Sequence, residues 1–421
     1  MPSYSGVWNL ASQLQAIAGQ NWPMGPGAPT SVSATSGDNS AVVTFVAPSF
    51  TGVPPGITGY LATSTPGSFT TTGASSPLTV TGLTNGTSYT IAVQATNGVQ
   101  YGPSGTSGSV TPATPLRALF AGGRAFGDTA TTQNIIQYIT ITSTGNSTDF
   151  GDLTSVLNQA AGFGSATRSV FSGGQISSNV PENVIQYVTS STTGNATDFG
   201  DLTLARYGLA GLSNSTRGVS AGGNSSASTN SNVIDYVTIA SVGNATDFGD
   251  LPQADPGRNG QRSLSACASS TRGLFFGGDI EGFGRTNSIS YITISSTGNG
   301  ADFGDLTFTT SDCSSCSSST RGLIAIGFGS GYPTNTIEYV TIASTGNATD
   351  FGDAITASSN NPTMAAASSE IRAVFAGGAE YNVNVIQYFT IASTGNGTDF
   401  GDLVNVNSAY MAGTSNCHGG L

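Results

Sequence analysis

Residues 193–202 read TGNATDFGDL, and residues 344–353 read STGNATDFGD. The phrase Asp-Phe-Gly-Asp occurs six times, with phenylalanines at 150, 199, 248, 303, 351 and 400, so the spacings are 49, 49, 55, 48 and 49 residues. Two further signals keep step with it. An arginine followed by apolar residues and a glycine pair (RALFAGG, RSVFSGG, RGVSAGG, RGLFFGG, RGLIAIG, RAVFAGG) recurs at Arg117, Arg168, Arg217, Arg272, Arg321 and Arg372. An Ile-x-Tyr run follows, ending at Tyr138, Tyr187, Tyr236, Tyr291, Tyr339 and Tyr388.

Each repeat reads as four strands: a strand of small residues before the arginine (AAGFGS, GLAGLS, LSACAS, CSSCSS, MAAASS), the Arg strand, the Tyr strand, and the Phe strand that holds DFGD. A period near fifty residues with about four strands is that of a β-propeller. Small side chains suit the innermost strand, where sheets crowd the axis. The first repeat lacks a small-residue strand before Arg117, and SAYMAGT (408–414) follows the last DFGD with no Arg strand after it. That leftover segment is expected to pair with the strand at Arg117 and close a six-bladed ring, which removes the exposed edge of an open sheet. The repeats resemble kelch repeats in the apolar strand ending in Gly-Gly, the Tyr strand after a loop, and the aromatic of the fourth strand. They depart from that family in using Phe where it has Trp, and in Gly327-Phe328 of the fifth repeat.

In the recurring phrase, STGN reads as the hairpin turn between the Tyr and Phe strands, because Gly and Asn tolerate positive φ. The phenylalanine reads as a packing aromatic. Twelve of the 23 acidic residues lie in the DFGD copies, and six of the 11 basic residues open the Arg strands, so a repeated Arg–Asp pairing is the simplest expectation. A calcium site per repeat is the alternative, but DFGD offers few oxygen ligands at calcium-loop spacing. The DFG of phosphoryl transfer is set aside, since the motif recurs sixfold and the chain has no lysine.

Residues 1–25 differ from the rest and are read as a docking segment. They hold both tryptophans, Trp8 and Trp22, and SGVWNLASQLQAIAG places Leu10 and Leu14 on one helical stripe. A helix this short needs burial of that stripe, on this chain or on another subunit, and the two large aromatics favour the second. Residues 26–113 show alternating apolar runs (AVVTFVAP, SYTIAVQATN) and frequent turn signals, the pattern of a β-sandwich. They resemble a fibronectin type III module in Pro29, Phe45 at the usual Trp position, Gly59-Tyr60, the Leu83/Tyr89 spacing of its tyrosine corner, Ala95-Thr96-Asn97 and Gly102-Pro103-Ser104. TPATP (111–115) is a stiff linker, and the propeller occupies 117–421. The expected fold is thus all-β: a fibronectin III-like sandwich and a six-bladed propeller behind a short docking segment.

Composition narrows function. Only 8% of residues are charged and the net charge is −12, which repels nucleic acid and anionic membranes. No positive region followed by an apolar core opens the chain, and no stretch approaches a membrane span, so synthesis in the cytoplasm without the usual export is expected. For the same reason the five turn asparagines that match Asn-x-Ser/Thr are read as turns. Cys313 and Cys316 form a lone CxxC and read as small core thiols; His418 is the single histidine. No cofactor, metal site or catalytic group is therefore expected, although a pair of carboxylates for glycan hydrolysis is not excluded by sequence.

The turns before each arginine and the STGN turns lie on one monotonous face. The other face carries variable loops, where recognition usually resides. Its candidate ligand-binding residues are Arg124, Phe126, Arg258, Phe283, Arg285, Tyr332 and Tyr381, the aromatics able to stack on sugar rings. The opening SGVWNL…NWP resembles the start of tailed-phage fibre and appendage proteins. That resemblance implies a virion structural protein, present in several copies or as a homo-oligomer. Residues 1–25 would dock on other virion proteins, and the propeller would bind host-surface carbohydrate or another virion protein. The alternatives are a bacterial surface or secreted carbohydrate-binding protein and, third, a propeller glycan hydrolase.

Overall fold

The computed structural model describes residues 24–53, 56–125, 131–177, 180–226, 229–252, 260–329, 335–355, 363–378, 384–405 and 409–421, with positions 10, 11, 14 and 15 of the N-terminal segment. The chain divides into two compact units, Met1–Pro115 and Leu116–Leu421. The fold is all-β throughout the strands described.

In the first unit, Thr30–Gly37, Ser40–Val46 and Leu78–Thr81 form one antiparallel sheet. Thr70–Gly73, Gly59–Thr65, Thr90–Thr96 and Tyr101–Thr106 form the other, in that spatial order. Period-two alternation turns Ala41, Val43 and Phe45 of one sheet and Tyr60, Ala62, Ile91, Val93 and Ala95 of the other into a shared core. The Phe45 and Tyr60 rings meet at 4.6 Å, so the aromatic at the usual Trp position does fill that space. Thr84 N–H donates to the Tyr89 hydroxyl at 3.1 Å beside buried Leu83, which is the corner expected from their spacing. In the N-terminal segment, Leu10 and Leu14 have helical backbone and are 73% and 58% exposed. Trp8 and Trp22 lie outside the described residues.

The second unit repeats one sheet six times. In the second repeat its strands are Ala161–Gly164, Arg168–Ser172, Val184–Thr189 and Thr197–Asp201, hydrogen-bonded in that order. In the first repeat the small-residue strand is Ala412–Ser415, which pairs with Arg117–Ala121 in the register Ala412↔Ala121 to Ser415↔Ala118. The small-residue strands contact one another in cyclic order: Ala412–Ser415, Ala161–Gly164, Ala210–Ser213, Ser265–Ala268, Ser314–Ser317, Ala365–Ser368, and then Ala412–Ser415 again. Serines at their last position tie neighbours together. Ser213, Ser317, Ser368 and Ser415 hydroxyls donate to the carbonyls of Gly164, Ala268, Ser317 and Ser368 at 2.6–2.7 Å.

Within each repeat the DFGD phenylalanine is buried and meets the repeat tyrosine edge-on, with centroids 5.7–6.1 Å apart. The arginine lies over that tyrosine, Cζ 4.3–4.9 Å from the ring centre. This corrects the expected Arg–Asp pairing. Arg117 stands opposite Thr140, at the end of the Tyr strand, whereas Asp152 stands opposite Ile135, at its beginning. Sheet register therefore separates the arginine from the second aspartate, while the first, Asp149, stands opposite Gln137 and is exposed. Each arginine Nη1 instead donates to a backbone carbonyl of the next repeat: Ser190, Ile239, Ile294, Ile342, Ile391 and, for Arg372 of the sixth repeat, Ile141 of the first, at 2.7–3.1 Å. Among the described residues the ion pairs are Arg206–Asp235 and Arg262–Asp279.

The repeated phrase joins repeats as well as turning the chain. The turn glycines 145, 194, 243, 298, 346 and 395 donate N–H to the carbonyls of Phe400, Phe150, Phe199, Phe248, Phe303 and Phe351, each in the preceding repeat. The adjoining asparagine accepts through Oδ1 from the second aspartate's N–H, as in Asp402 N to Asn146 at 3.0 Å and Asp152 N to Asn195 at 3.0 Å. The residue after the asparagine then donates to that aspartate's carbonyl, as Ser147 does to Asp402 at 2.8 Å. The backbone between Phe and Asp must pass close under the next turn. At Gly401, φ is +147° and a Cβ would stand 2.5 Å from the Gly145 carbonyl, so only glycine fits.

Candidate functional site

Three features distinguish the second unit from a monotonous repeat, and all involve the face of variable loops or the cavity between the small-residue strands. The first is a ring of backbone bonds. Gln159, Gly208, Ser263, Asp312, Thr363 and Tyr410 each precede a small-residue strand and each have φ between +54° and +77°. Each N–H donates to the carbonyl of its counterpart one repeat back (Gly208 to Gln159, Ser263 to Gly208, Asp312 to Ser263, Thr363 to Asp312, Tyr410 to Thr363), and Gln159 to Tyr410 completes the cycle, at 2.7–3.2 Å. The five side chains of this ring surround a mouth of about 90 Å³ above a cavity of about 140 Å³, which residues of all six small-residue strands line.

The mouth is polar. Burial pushes the Asp312 carboxyl above the usual carboxylate range, while bonds from Ser263 and Ser311 and the charges of Arg262 and Arg285 pull the other way. Tyr410 is likewise pushed up, by burial and then by Asp312, against the opposing Arg124. Arg124 lies over the Tyr410 ring at 4.8 Å, and its backbone pairs with Ala409. Arg124 Nε, Thr363 Oγ1, Ser315 Oγ and Thr414 Oγ1 are buried and find no partner among the described residues.

The second feature closes the cavity's far end. Residues after Ala412–Ser415 form a strap: Asn416 Oδ1 accepts from Arg117 N at 2.8 Å, and Gly419 N–H donates to Ser317 O at 2.9 Å. Between them His418 Nε2 lies 3.0 Å from Gly164 O and 3.1 Å from Ser213 Oγ, and its Nδ1 accepts from Gly420 N at 3.1 Å. One nitrogen donates and the other accepts, so the ring is held neutral. Burial lowers its pKa, opposed by the Gly164 carbonyl and the charge of Glu370. The strap thus anchors in the first repeat and reaches the second, third and fifth.

The third feature lies between the third and fourth repeats. Here Gln261–Arg262, Asp279–Ile280 and the start of Gly284–Thr293 form a three-stranded antiparallel ribbon that joins the main sheet, where the second and third repeats carry the separate two-stranded ribbons Gln175–Ser177/Val180–Pro181 and Asn224–Ser226/Thr229–Asn230. Arg262 bridges Asp279 at 2.9 Å, and Asn230 of the third repeat donates to the Asp279 carbonyl at 2.8 Å. Two cavities of about 330 and 220 Å³ flank this ribbon.

Of the residues singled out by sequence, Arg124, Phe283 and Arg285 are described; Phe126, Arg258, Tyr332 and Tyr381 lie outside the described residues. Phe283 is 55% exposed at the turn of the three-stranded ribbon. Arg285 is exposed and sits in a strand, not a loop; its Nε donates to Ser311 Oγ at 3.3 Å and its guanidinium lies 5.8 Å from the Phe328 ring centre. Arg124 belongs to the mouth. The sequence reading missed the ring residues, whose side chains share no chemistry. Cys267, Cys313, Cys316 and Cys417 are free; burial pushes Cys267 to about 12, Cys313 to about 11 and Cys417 to about 12, and raises Cys316 as well. Thiols so held are not nucleophiles at neutral pH.

The family model of the Fibronectin type III domain matches residues 27–111. The first compact unit therefore carries a fibronectin type III module. A search of the curated proteins finds no match to the chain.

Proposed function

We propose that residues 116–421 form a closed, kelch-like six-bladed β-propeller. In this reading the chain is a non-enzymatic structural protein of a tailed-phage virion, a fibre, appendage or decoration. Residues 1–25 dock it on other virion proteins, the fibronectin module spaces it, and the loop face of the propeller recognises host-surface glycan or another virion protein.

The observation that carries the architecture is the junction of the sixth repeat with the first. It uses the same Arg372-to-Ile141 and Gly145-to-Phe400 bonds that join every other neighbouring pair. A scaffold that satisfies its own edges presents loops rigidly and needs no partner to protect them. The docking role rests on the opening's resemblance to phage appendage proteins and on exposed Leu10 and Leu14. The non-enzymatic reading is supported by the sole histidine, half-buried with both nitrogens bonded, and by thiols raised to about 11 or above.

The test is co-expression with particles that lack this chain. Full-length protein is expected to sediment with them, and the chain without residues 1–25 to stay folded in the supernatant. Incorporation of the truncated chain at the full-length level would refute the docking role.

A further inference from the structure

One contact of the repeat is missing at one place, and both of its partners have changed. The residue between Ile and Tyr of the Tyr strand is Gln137, Gln186, Asp235, Ser290, Glu338 or Gln387, all of them buried. In five repeats this side chain accepts from the chain that follows the preceding Phe strand. Gln137 accepts from Val404 N at 3.2 Å, Gln186 from Thr154 N at 2.8 Å, Asp235 from Thr203 Oγ1 at 2.6 Å, Glu338 from Thr307 N at 3.2 Å and Gln387 from Ile355 N at 2.8 Å. In the fourth repeat the acceptor is shortened to Ser290. The residue that would face it, two after Asp250, is Pro252, which has no N–H to offer.

A cavity of about 330 Å³ opens there. Its lining has an apolar part, Leu251, Pro252, Ile280 and Ile289, and a polar part, Thr286, Ser288, Ser290 and Asp302. Its size falls at the small end of ligand sites, roughly 300–1,000 Å³. Among the described residues no cation lines it, and Arg262 in the adjoining cavity is paired with Asp279, so the described lining itself offers an anion no counter-charge. Thr286 Oγ1 donates to Ser288 Oγ at 3.1 Å, so those two hydroxyls are satisfied by each other; a wholly apolar ligand would still cover the polar side chains of Ser290 and Asp302 without offering them a hydrogen bond, which is costly. A pyranose ring has one apolar face and a rim of hydroxyls, and it matches both parts of the lining. Phe283, exposed on the next turn with its N–H bonded to Ile280 O, offers a stacking surface for a second ring.

We propose that the seam between the third and fourth repeats, at Ser290 and Pro252, is the binding site for a neutral saccharide residue, with Phe283 stacking on its neighbour in the glycan. This rests on the reading of the loop face as a recognition surface and gives that surface a location and a ligand class.

The experiment uses the full chain and two probe sets: neutral hexose oligosaccharides, and the same lengths carrying uronic or sialic acid, followed by saturation-transfer NMR and titration calorimetry. Ser290→Gln restores the side chain that three of the other five repeats carry. It is expected to leave the thermal melt in place and to weaken neutral-saccharide binding by at least about tenfold, equivalent to about 1.4 kcal/mol. Phe283→Ala, at a position 55% exposed, is expected to keep the wild-type melt and to weaken longer oligosaccharides several-fold and single hexoses little. Equal binding by Ser290→Gln overturns the site, and preference for the acidic probes overturns the ligand class. If neither set binds, the proposal is overturned as well. The wider reading survives that result if the full chain still competes with particles for host cells, and falls with it if competition is also absent.

Discussion

Replacing Gly401 with alanine tests the junction between the sixth repeat and the first. The native φ of +147° is one that L side chains rarely adopt, and the strain costs about 1–3 kcal/mol. The new Cβ would stand 2.5 Å from both C and O of Gly145 and 2.9 Å from Asn146 N, all backbone atoms that cannot rotate away. Relief requires the turn to lift, which breaks three bonds: Gly145 N to Phe400 O at 2.8 Å, Asp402 N to Asn146 Oδ1 at 3.0 Å, and Ser147 N to Asp402 O at 2.8 Å. At about 0.5–1.5 kcal/mol each these add about 2–4 kcal/mol. Gly145→Ala is the internal control. Its φ is +155°, but a Cβ there meets nothing within 4 Å, so it carries the strain without the collision. Both tryptophans lie in the first 22 residues, so fluorescence would report the wrong segment, and urea unfolding followed by far-ultraviolet circular dichroism is the suitable assay. Gly401→Ala is expected to be less stable than Gly145→Ala by about 2–4 kcal/mol. Equal effects of the two substitutions would refute the argument that the turn of the first repeat sits on the last.

Three further outcomes follow from the same geometry. Arg217→Gln should cost about 1–3 kcal/mol through loss of its stacking on Tyr236 and its bond to Ile294 O, whereas Asp247→Asn should change stability by under about 0.5 kcal/mol; a large effect of Asp247→Asn would restore the charge-pairing view. Because His418 has a folded-state pKa below 6.5, the unfolded chain binds the extra proton first, so the stability its neutral form contributes is intact above about pH 7 and falls by about 1.4 kcal/mol per pH unit as pH drops below 6.5 toward the folded value. Asp312 and Glu338, raised by burial, act in the opposite sense, so the difference between wild type and His418→Gln isolates the histidine; a flat difference from pH 7 to 5 would contradict the placement of His418 in the strap. Finally, Cys267 and Cys313, at about 12 and 11, should resist thiol reagents in the folded protein at pH 8 and react on unfolding; rapid native labelling would show that the small-residue strands are accessible.

The four strands of each repeat were legible in the sequence because side chains mark them: Arg opens one, Tyr and Phe pack in two, and small residues fill the fourth. The pairing of Ala412–Ser415 with Arg117–Ala121 followed from counting strands. What sequence did not disclose is carried by backbone. The repeat arginines find carbonyls, which every residue has, so their partners leave no trace in the residue pattern, and proximity in composition suggested the aspartates instead. The hydrogen-bonded ring from Gln159 to Tyr410 is held by φ and by peptide groups, and its six residues differ too much to be recognised as equivalent. The role of the TGN turn in gripping the preceding repeat has a signal only in hindsight: the invariable Gly of DFGD marks where another strand passes too close for a Cβ. At the seam, the signal was present as a joint departure, Ser290 with Pro252, but it acquires meaning only once register brings the two together.

The central claim is that six repeats close on themselves through the sixth-to-first junction. An experimental density map of the full chain, by crystallography or electron cryomicroscopy, tests it most directly. The account predicts Ser415 paired opposite Ala118, Arg372 on the carbonyl of Ile141, and the Gly145 turn seated on Phe400, at the same distances found at the other five junctions. A map in which the first and sixth repeats stand apart, or in which the sheets stack in a line, would contradict it.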